Sequence, residues 1–327
     1  MTRFSILVAC YNAAPYLRQT LDSLLAQTLT DIEVICIDDC STDNTLQILD
    51  EFAGKDRRVK MLKTSENSGQ AVARNLGLRH ATGVLTTMVD ADDWLAPDAL
   101  EKMWQTFSTR EDIDSLAFRL QMVEERGITH PFKEDETIPP LMTGEEACLL
   151  AINWRLHGFA AVRTELHRRY PYDETTRVYS DDNTSRIHYL KSRFVAQTDA
   201  DYFYRQHPAS VTHQRDTKRL DFLRANDSLR TSLEKEGANA AILQTCEEYC
   251  WRIFLGICKD MLHQRRQMTD AEWKDTDSRL RDAYNNMHTD RLAPTLRRSL
   301  RTGPLTCYAC FMLREKFIAR LKGCSIN

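Results

Sequence analysis

Phe4 to Cys10 is apolar at nearly every position, and Ile32 to Ile37 repeats the pattern with β-branched residues. Short, nearly continuous runs of this kind are expected of strands buried on both faces of a parallel sheet. Between them Pro15 opens a helix, where its missing N–H costs nothing, and Leu17, Leu21, Leu24 and Leu25 fall on one face. The alternation continues. A helix carries Leu46, Ile48, Leu49 and Phe52; a strand covers Val59 to Leu62; a helix runs from Gly69 to His80 and ends at Thr82-Gly83. A strand follows at Val84 to Val89, and Pro97 opens a helix with Leu100, Met103, Trp104 and Phe107. Strand–helix units of about 25–30 residues predict an α/β fold, a mainly parallel sheet with helices on both faces.

Beyond residue 120 the pattern weakens, and Pro131, Pro139 and Pro140 predict loop as far as 142. A helix is expected over Gly144 to Asn153, a strand at Phe159 to Val162, a helix from Asp182 to Lys191, and two strands at Phe194 to Thr198 and Tyr202 to Arg205. Past residue 213 the pattern turns helical, with Leu243, Cys246, Cys250, Ile253, Ile257 and Met261 at i, i+3/i+4 spacing. The change of character predicts two domains, residues 1–214 and a helical region at 215–327.

Composition narrows the class. The 327 residues are 42% hydrophobic and 28% charged, with 11 Gly and 9 Pro, which excludes disordered, fibrous and collagen-like chains. Residues 215–327 hold 21 Lys/Arg and 15 Asp/Glu, and residues 1–214 hold 23 and 32. An acidic front half argues against nucleic acid as a partner and suits a divalent cation. The ten cysteines are scattered, and a chain of this size does not need disulfides, so they read as reduced thiols of a cytosolic protein. Leu7-Val8-Ala9-Cys10 has the form of a lipoprotein cleavage box, but the apolar stretch before it is too short for a signal segment. Cys307 and Cys310 form a lone CxxC with no second pair to complete a zinc site, and read as apolar fillers.

The polar clusters decide more. Asn12, Asp38-Asp39, Asn67 to Gly69 and Asp90 to Asp93 each follow a predicted strand, and open α/β sheets bind ligands beyond the carboxyl ends of their strands. Asp90-Ala91-Asp92-Asp93 sets three carboxylates within four residues, a donor set that hard cations such as Mg2+ and Mn2+ prefer. An acid-rich helix N-terminus is the bland alternative. Asp38-Asp39 suits a ribose or base edge, or a capped turn before the next helix.

Taken together, Ser5-Ile6-Leu7-Val8-Ala9-Cys10-Tyr11-Asn12, Asp38-Asp39-Cys40-Ser41-Thr42-Asp43, Asn67-Ser68-Gly69-Gln70 with Ala73-Arg74-Asn75, and Val89-Asp90-Ala91-Asp92-Asp93-Trp94 resemble the family 2 inverting glycosyltransferases of GT-A fold. The resemblance is strong over residues 4–110 and continues more weakly to about 214. It implies a nucleotide-sugar-binding half at 1–110 and an acceptor half at 111–214. It implies that Ala9 and Tyr11 pack on the base, Asp39 bonds the base or ribose, and Arg74 contacts the diphosphate. Asp92 and Asp90 match the Asp-x-Asp motif that holds Mn2+ or Mg2+, Asp90 also reaching the ribose, with Asp93 assisting. The family's general base sits in a Glu-Asp pair that opens a helix. Ser180-Asp181-Asp182 stands there, with Asp181 where Glu is usual, so Asp182 becomes the base and Asp181 a helix cap. Tyr204-Arg205-Gln206-His207-Pro208-Ala209-Ser210 resembles the closing segment, from which Arg205 and His207 would reach the diphosphate or metal.

The resemblance implies transfer of a sugar from a nucleotide sugar, first of all a UDP-sugar, to a glycan or lipid-linked glycan in surface polysaccharide or lipopolysaccharide assembly. Residues 288–327 carry eight Lys/Arg and two acids among Leu305, Tyr308, Phe311, Met312, Leu313, Phe317, Ile318 and Leu321. That is either a basic helix lying on an anionic membrane, peripheral at the cytoplasmic face, or a helix packed on the enzyme. A sugar nucleotidyltransferase and a nicotinamide dehydrogenase are disfavoured because Tyr11-Asn12-Ala13-Ala14-Pro15 is no Gly-rich phosphate loop. A non-catalytic glycan-binding module is weakened because every acidic position is filled.

Overall fold

The strand at Phe4–Cys10 (β1) supplies the reason for its unbroken apolar run. Phe4, Ile6, Val8 and Cys10 enter one core, and Leu7 enters a second core on the opposite face with Ile35, Ile37, Ala71, Ala73 and Leu78. The computed structural model describes residues 1–124, 127, 129–133, 137–176, 179–206, 217–298 and 308–321. They form two compact units, Met1–Ser210 and Val211–Asn327.

In the first unit the elements after β1 are α1 (Leu17–Leu25), β2 (Ile32–Asp38), α2 (Thr45–Lys55), β3 (Val59–Lys63), α3 (Gln70–His80), β4 (Leu85–Met88), β5 (Trp94–Leu95) and α4 (Ala99–Thr109). Then come β6 (Ile113–Val123), β7 (Thr129–Pro131), β8 (Leu141–Thr143), α5 (Gly144–Ile152), β9 (Ala160–Arg163), α6 (Thr164–Arg169), α7 (Ser180–Lys191) and β10 (Phe194–Arg205). The sheet runs β3-β2-β1-β4-β9-β6-β10-β5, with β7 on β6 and β8 on β10. Strands β1 to β4 pair in parallel, as do β6 and β10. Strand β9 enters antiparallel between β4 and β6, and β5, β7 and β8 also pair antiparallel. The sheet is therefore mixed in its second half.

Two expectations change there. Strand β6, which begins in a stretch left unassigned, runs into the anticipated loop region as far as Val123, and β7 lies within that region. Asp114 is buried but accepts hydrogen bonds from Arg163 Nε (2.8 Å), Arg193 N (2.8 Å) and Arg193 Nη2 (2.7 Å). The strands expected at Phe194 to Thr198 and Tyr202 to Arg205 are one strand, β10, with a register shift between Gln197 and Asp201 against β6.

Gly144 begins α5 against the carboxyl end of α7. A Cβ there would overlap the carbonyl oxygens of Ser192 and Tyr189. Backbone oxygens cannot rotate away, so Gly144→Ala is expected to cost about 1–3 kcal/mol, read as a lower midpoint of chemical denaturation at unchanged slope.

The second unit contains α8 (Asp221–Lys235), α9 (Ala240–Gln264), α10 (Asp270–Asn285), α11 (Pro294–Arg298) and α12 (Tyr308–Leu321). Trp251, Phe254, Ile257, Leu280, Tyr308, Phe311 and Met312 share its core. Tyr308, Phe311 and Met312 of the C-terminal helix face this interior, while Leu313 is 68% exposed. Leu305 and Cys307 lie outside the described residues, as do the side chains of Phe317, Ile318 and Leu321. Cys10, Cys36, Cys40, Cys148, Cys246, Cys250, Cys258 and Cys310 are free thiols. Among the described residues no helix is long and apolar enough to cross a membrane.

Candidate active site

The carboxyl ends of β1 and β2 are laced together by short polar side chains. Asn12, at φ 50°, accepts hydrogen bonds from Thr42 N (2.8 Å) and Thr42 Oγ1 (3.2 Å), while its own N–H donates to Ser41 Oγ (3.1 Å). Ala13 N donates to Thr45 Oγ1 and Ala14 N to Asp43 Oδ2. Clamped in this way, the β1 loop leaves Ala9 half-buried and Tyr11 52% exposed at the rim. Asp39 holds the following loop. It is buried and accepts from Thr64 Oγ1 (2.7 Å), Ser68 N (3.0 Å) and Gly69 N (2.7 Å). Gly69 precedes α3 at φ 90°, a backbone that favours glycine. In this structure the carboxylate expected at the base or ribose shapes the loop beneath it.

Past β4 the acids converge. Asp90, Asp92 and Asp93 each bring an oxygen within 4.8 Å of the others. The buried Tyr202 on β10 braces them: its hydroxyl accepts from Asp90 N (3.1 Å) and donates to Asp93 Oδ2 (2.9 Å). Asp93 Oδ1 accepts from Arg205 N (2.8 Å). The Arg205 guanidinium lies between the rings of Tyr16 (5.0 Å) and Trp94 (4.7 Å) and donates to Asp92 O (2.9 Å) and Gln19 Oε1 (2.6 Å). Burial, and then repulsion from Asp90 and Asp92, pushes the Asp93 carboxyl well up. Asp90 is pushed up to about 6, by burial first, with Asp92 and Asp181 adding to it and Arg74 opposing. Three acids crowded this closely, with Asp90 and Asp93 resisting ionisation, are a donor set that a hard divalent cation would relieve, so these residues fit one. Asp92 and Asp90 would hold it, since both oxygens of Asp93 already accept protein hydrogen bonds. His207, expected beside them, lies outside the described residues.

Arg74 sits under this cluster, 1% exposed. Its Nη2 donates to Asp90 Oδ1 (2.5 Å) and its Nη1 to Asp181 Oδ2 (3.3 Å), and the guanidinium lies 5.5 Å from the Tyr172 ring. Burial works against its charge, and Asp90 and Asp181 more than restore it. The cation expected at a diphosphate is thus held inward by two carboxylates. The next residue also has a structural part: Asn75 Nδ2 donates to Tyr172 O (2.9 Å) and Asn75 Oδ1 accepts from Tyr172 N (2.9 Å), pinning the chain that leads to α7.

Helix α7 begins at Ser180, earlier than expected, and is not capped by aspartate. Its N-cap is Tyr179, in the left-handed region at φ 60°, and makes no side-chain cap bond. Asp181 lies inside the first turn, where its Oδ1 accepts from Asp182 N (3.0 Å). Asp182 is half-buried, and Gly158 packs against it and Ser185 so closely that a Cβ would stand 3.3 Å from Asp182 Oδ1. Burial, and then Asp181, pushes the Asp182 carboxyl up to about 7, against the pull of Arg186. A carboxylate with that affinity for a proton, at the edge of an acidic centre, has the properties of a general base near neutral pH.

Asp90, Asp92, Asp93, Arg74, Arg205 and the Asp181-Asp182 pair are therefore linked by direct contacts or by mutual electrostatic influence. Tyr202, Gln19, Tyr16 and Gly158 were not anticipated. Tyr202 stands three residues before Arg205, on a strand expected in the right place, but nothing local marks its hydroxyl as the brace of the acids.

Known proteins resemble this chain in sequence and in fold. The family profile described as "Glycosyl transferase family 2" matches residues 5–170. A protein of Haemophilus influenzae named "Uncharacterized glycosyltransferase" is 46% identical over 102 residues, spanning 31% of this chain and 41% of that protein. "Glycosyltransferase GlyG" of Streptococcus pneumoniae is 27% identical over 299 residues, spanning 85% of this chain and 94% of that one. Among solved structures, S. aureus TarS 1-349 in complex with UDP-GlcNAc superimposes with a TM-score of 0.74 at 19% identity, covering 98% of this chain and 92% of that one. At that identity the likeness concerns the GT-A fold.

Proposed function

Because this glycosyltransferase chain belongs to glycosyl transferase family 2, we propose that it moves a sugar from a UDP-sugar to an acceptor hydroxyl with inversion, helped by Mn2+ or Mg2+. The observation that carries the proposal is the pairing of a cation-fitting acid cluster with a separate carboxylate, Asp182, whose proton affinity is raised to about 7. UDP is favoured as the nucleotide because TarS, of the same fold, was solved with UDP-GlcNAc. The acceptor is a glycan or lipid-linked glycan of surface polysaccharide assembly. The free thiols suit a reducing compartment such as the cytoplasm.

In this reading Tyr11 and Ala9 pack on the base, and Asp182 takes the proton of the acceptor hydroxyl as its oxygen bonds to the anomeric carbon. Arg205 and Tyr202 keep the Asp90–Asp93 segment in place beside the departing diphosphate. Asp92 and Asp90 would hold a cation, which would neutralise the charge developing there. Incubation with UDP-, GDP- and dTDP-sugars and Mn2+, with nucleoside diphosphate release as readout, tests the proposal. Release from a UDP-sugar that stops on chelation is expected; no release from any donor, with or without acceptor glycans, contradicts it.

A further inference from the structure

A continuous chain of contacts runs from the cation-fitting cluster to the backbone of the proposed base. Asp90 Oδ1 accepts from Arg74 Nη2 (2.5 Å), Asp181 Oδ2 accepts from Arg74 Nη1 (3.3 Å), and Asp181 Oδ1 accepts from Asp182 N (3.0 Å). We infer that Arg74 is a positioning residue that fastens the first turn of α7 to the Asp90 carboxylate, and that it acts on turnover through Asp181.

Three observations make the link specific. The partners lie far apart in sequence, 16 residues from Arg74 to Asp90 and 107 to Asp181, so no local turn would hold them together. The turn that Arg74 grips begins after a left-handed Tyr179 whose side chain makes no cap bond, so its N-terminal end gains from a long-range hold. A planar guanidinium reaches two carboxylates at once, which an ammonium at the end of a flexible stem does less well. Asp181 thereby acquires a part that capping alone does not provide: it relays the grip of Arg74 to the N–H of Asp182. Burial of Arg74 at 1% exposure keeps water from replacing either bond.

The inference rests on Asp182 as the base, and its test separates the two. Steady-state kinetics, UDP calorimetry and amide hydrogen exchange are measured on full-length Arg74→Lys, Arg74→Met, Asp181→Asn and the double variant Arg74→Met/Asp181→Asn, with Asp182→Asn alongside. Misplacing a catalytic group by about 1 Å costs about 100-fold, so each single variant should lose kcat on that scale. UDP affinity should stay nearly unchanged. The double variant should be little slower than either single, because both break one chain. Exchange should quicken at residues 180–185 and not in α4. Arg74→Lys keeps the buried charge, and serves if Arg74→Met folds poorly. Losses that multiply in the double variant, a defect confined to UDP affinity or donor KM, or unaltered exchange in the first turn of α7 would overturn the inference. An active Asp182→Asn would instead remove the base assignment, leaving the coupling of Arg74 with Asp181 to be judged by the cycle and the exchange.

Discussion

Asp182→Asn is expected to lower kcat by about 10²–10⁴-fold, the usual share of general base catalysis, while UDP affinity barely moves. Asparagine has nearly the same shape but cannot accept the acceptor's proton. The pH dependence carries the same information. With its carboxyl raised to about 7, Asp182 is ionised and competent above that pH and protonated below it, so wild-type kcat should fall about tenfold per pH unit on the acid side. The stability effect has the opposite sign. A carboxyl whose folded-state affinity for a proton exceeds its unfolded one weakens the fold when ionised, so the penalty grows as pH rises from about 4 to 7 and is complete above. Asp182→Asn should therefore melt higher than wild type at pH 8, and the gap should close towards pH 4. Kinetics and melting curves across pH check both. A variant that turns over normally, or wild-type kcat that is flat from pH 8 to 5, places the base elsewhere.

Asp92→Ala is expected to abolish the dependence of UDP binding on Mn2+. Asp92 and Asp90 are the acids proposed to hold a cation, since both oxygens of Asp93 accept from Tyr202 and Arg205, and Asp90 shares one oxygen with Arg74. Removing Asp92 leaves a single shared carboxylate, fewer oxygens than Mn2+ or Mg2+ normally takes from such a site. Calorimetry of UDP with and without Mn2+ reads the effect directly. If Mn2+ strengthens UDP binding to the variant as it does to wild type, the cation sits on other ligands.

Much of this centre is legible in the amino-acid sequence. The strand–helix units to Thr109 were marked by apolar runs and by Pro15 and Pro97, and the acids at 90–93 fall where parallel strands end. The later elements were harder. Strand β6 was left unassigned; it carries Asp114, acceptable in a buried strand only because Arg163 and Arg193 arrive to pair it. The split expected within β10 came from Gln197 to Asp201, a mostly polar stretch where the pairing with β6 shifts register although the strand continues.

Residue periodicity alone determined the first four strands, their order of alternation with helices, and the acidic rim at their ends, because those features depend on spacings of two to four residues. Which acid does what was decided by folding. Asp39 turns inward because the N–H groups of Ser68 and Gly69 come within reach only when α3 docks. Arg74 meets Asp181, and Tyr202 meets Asp90, across 107 and 112 residues. Such pairings follow from burial: once the sheet closes over a charge, the only low-energy arrangement is the one that brings it a partner, and that partner can stand anywhere in the chain.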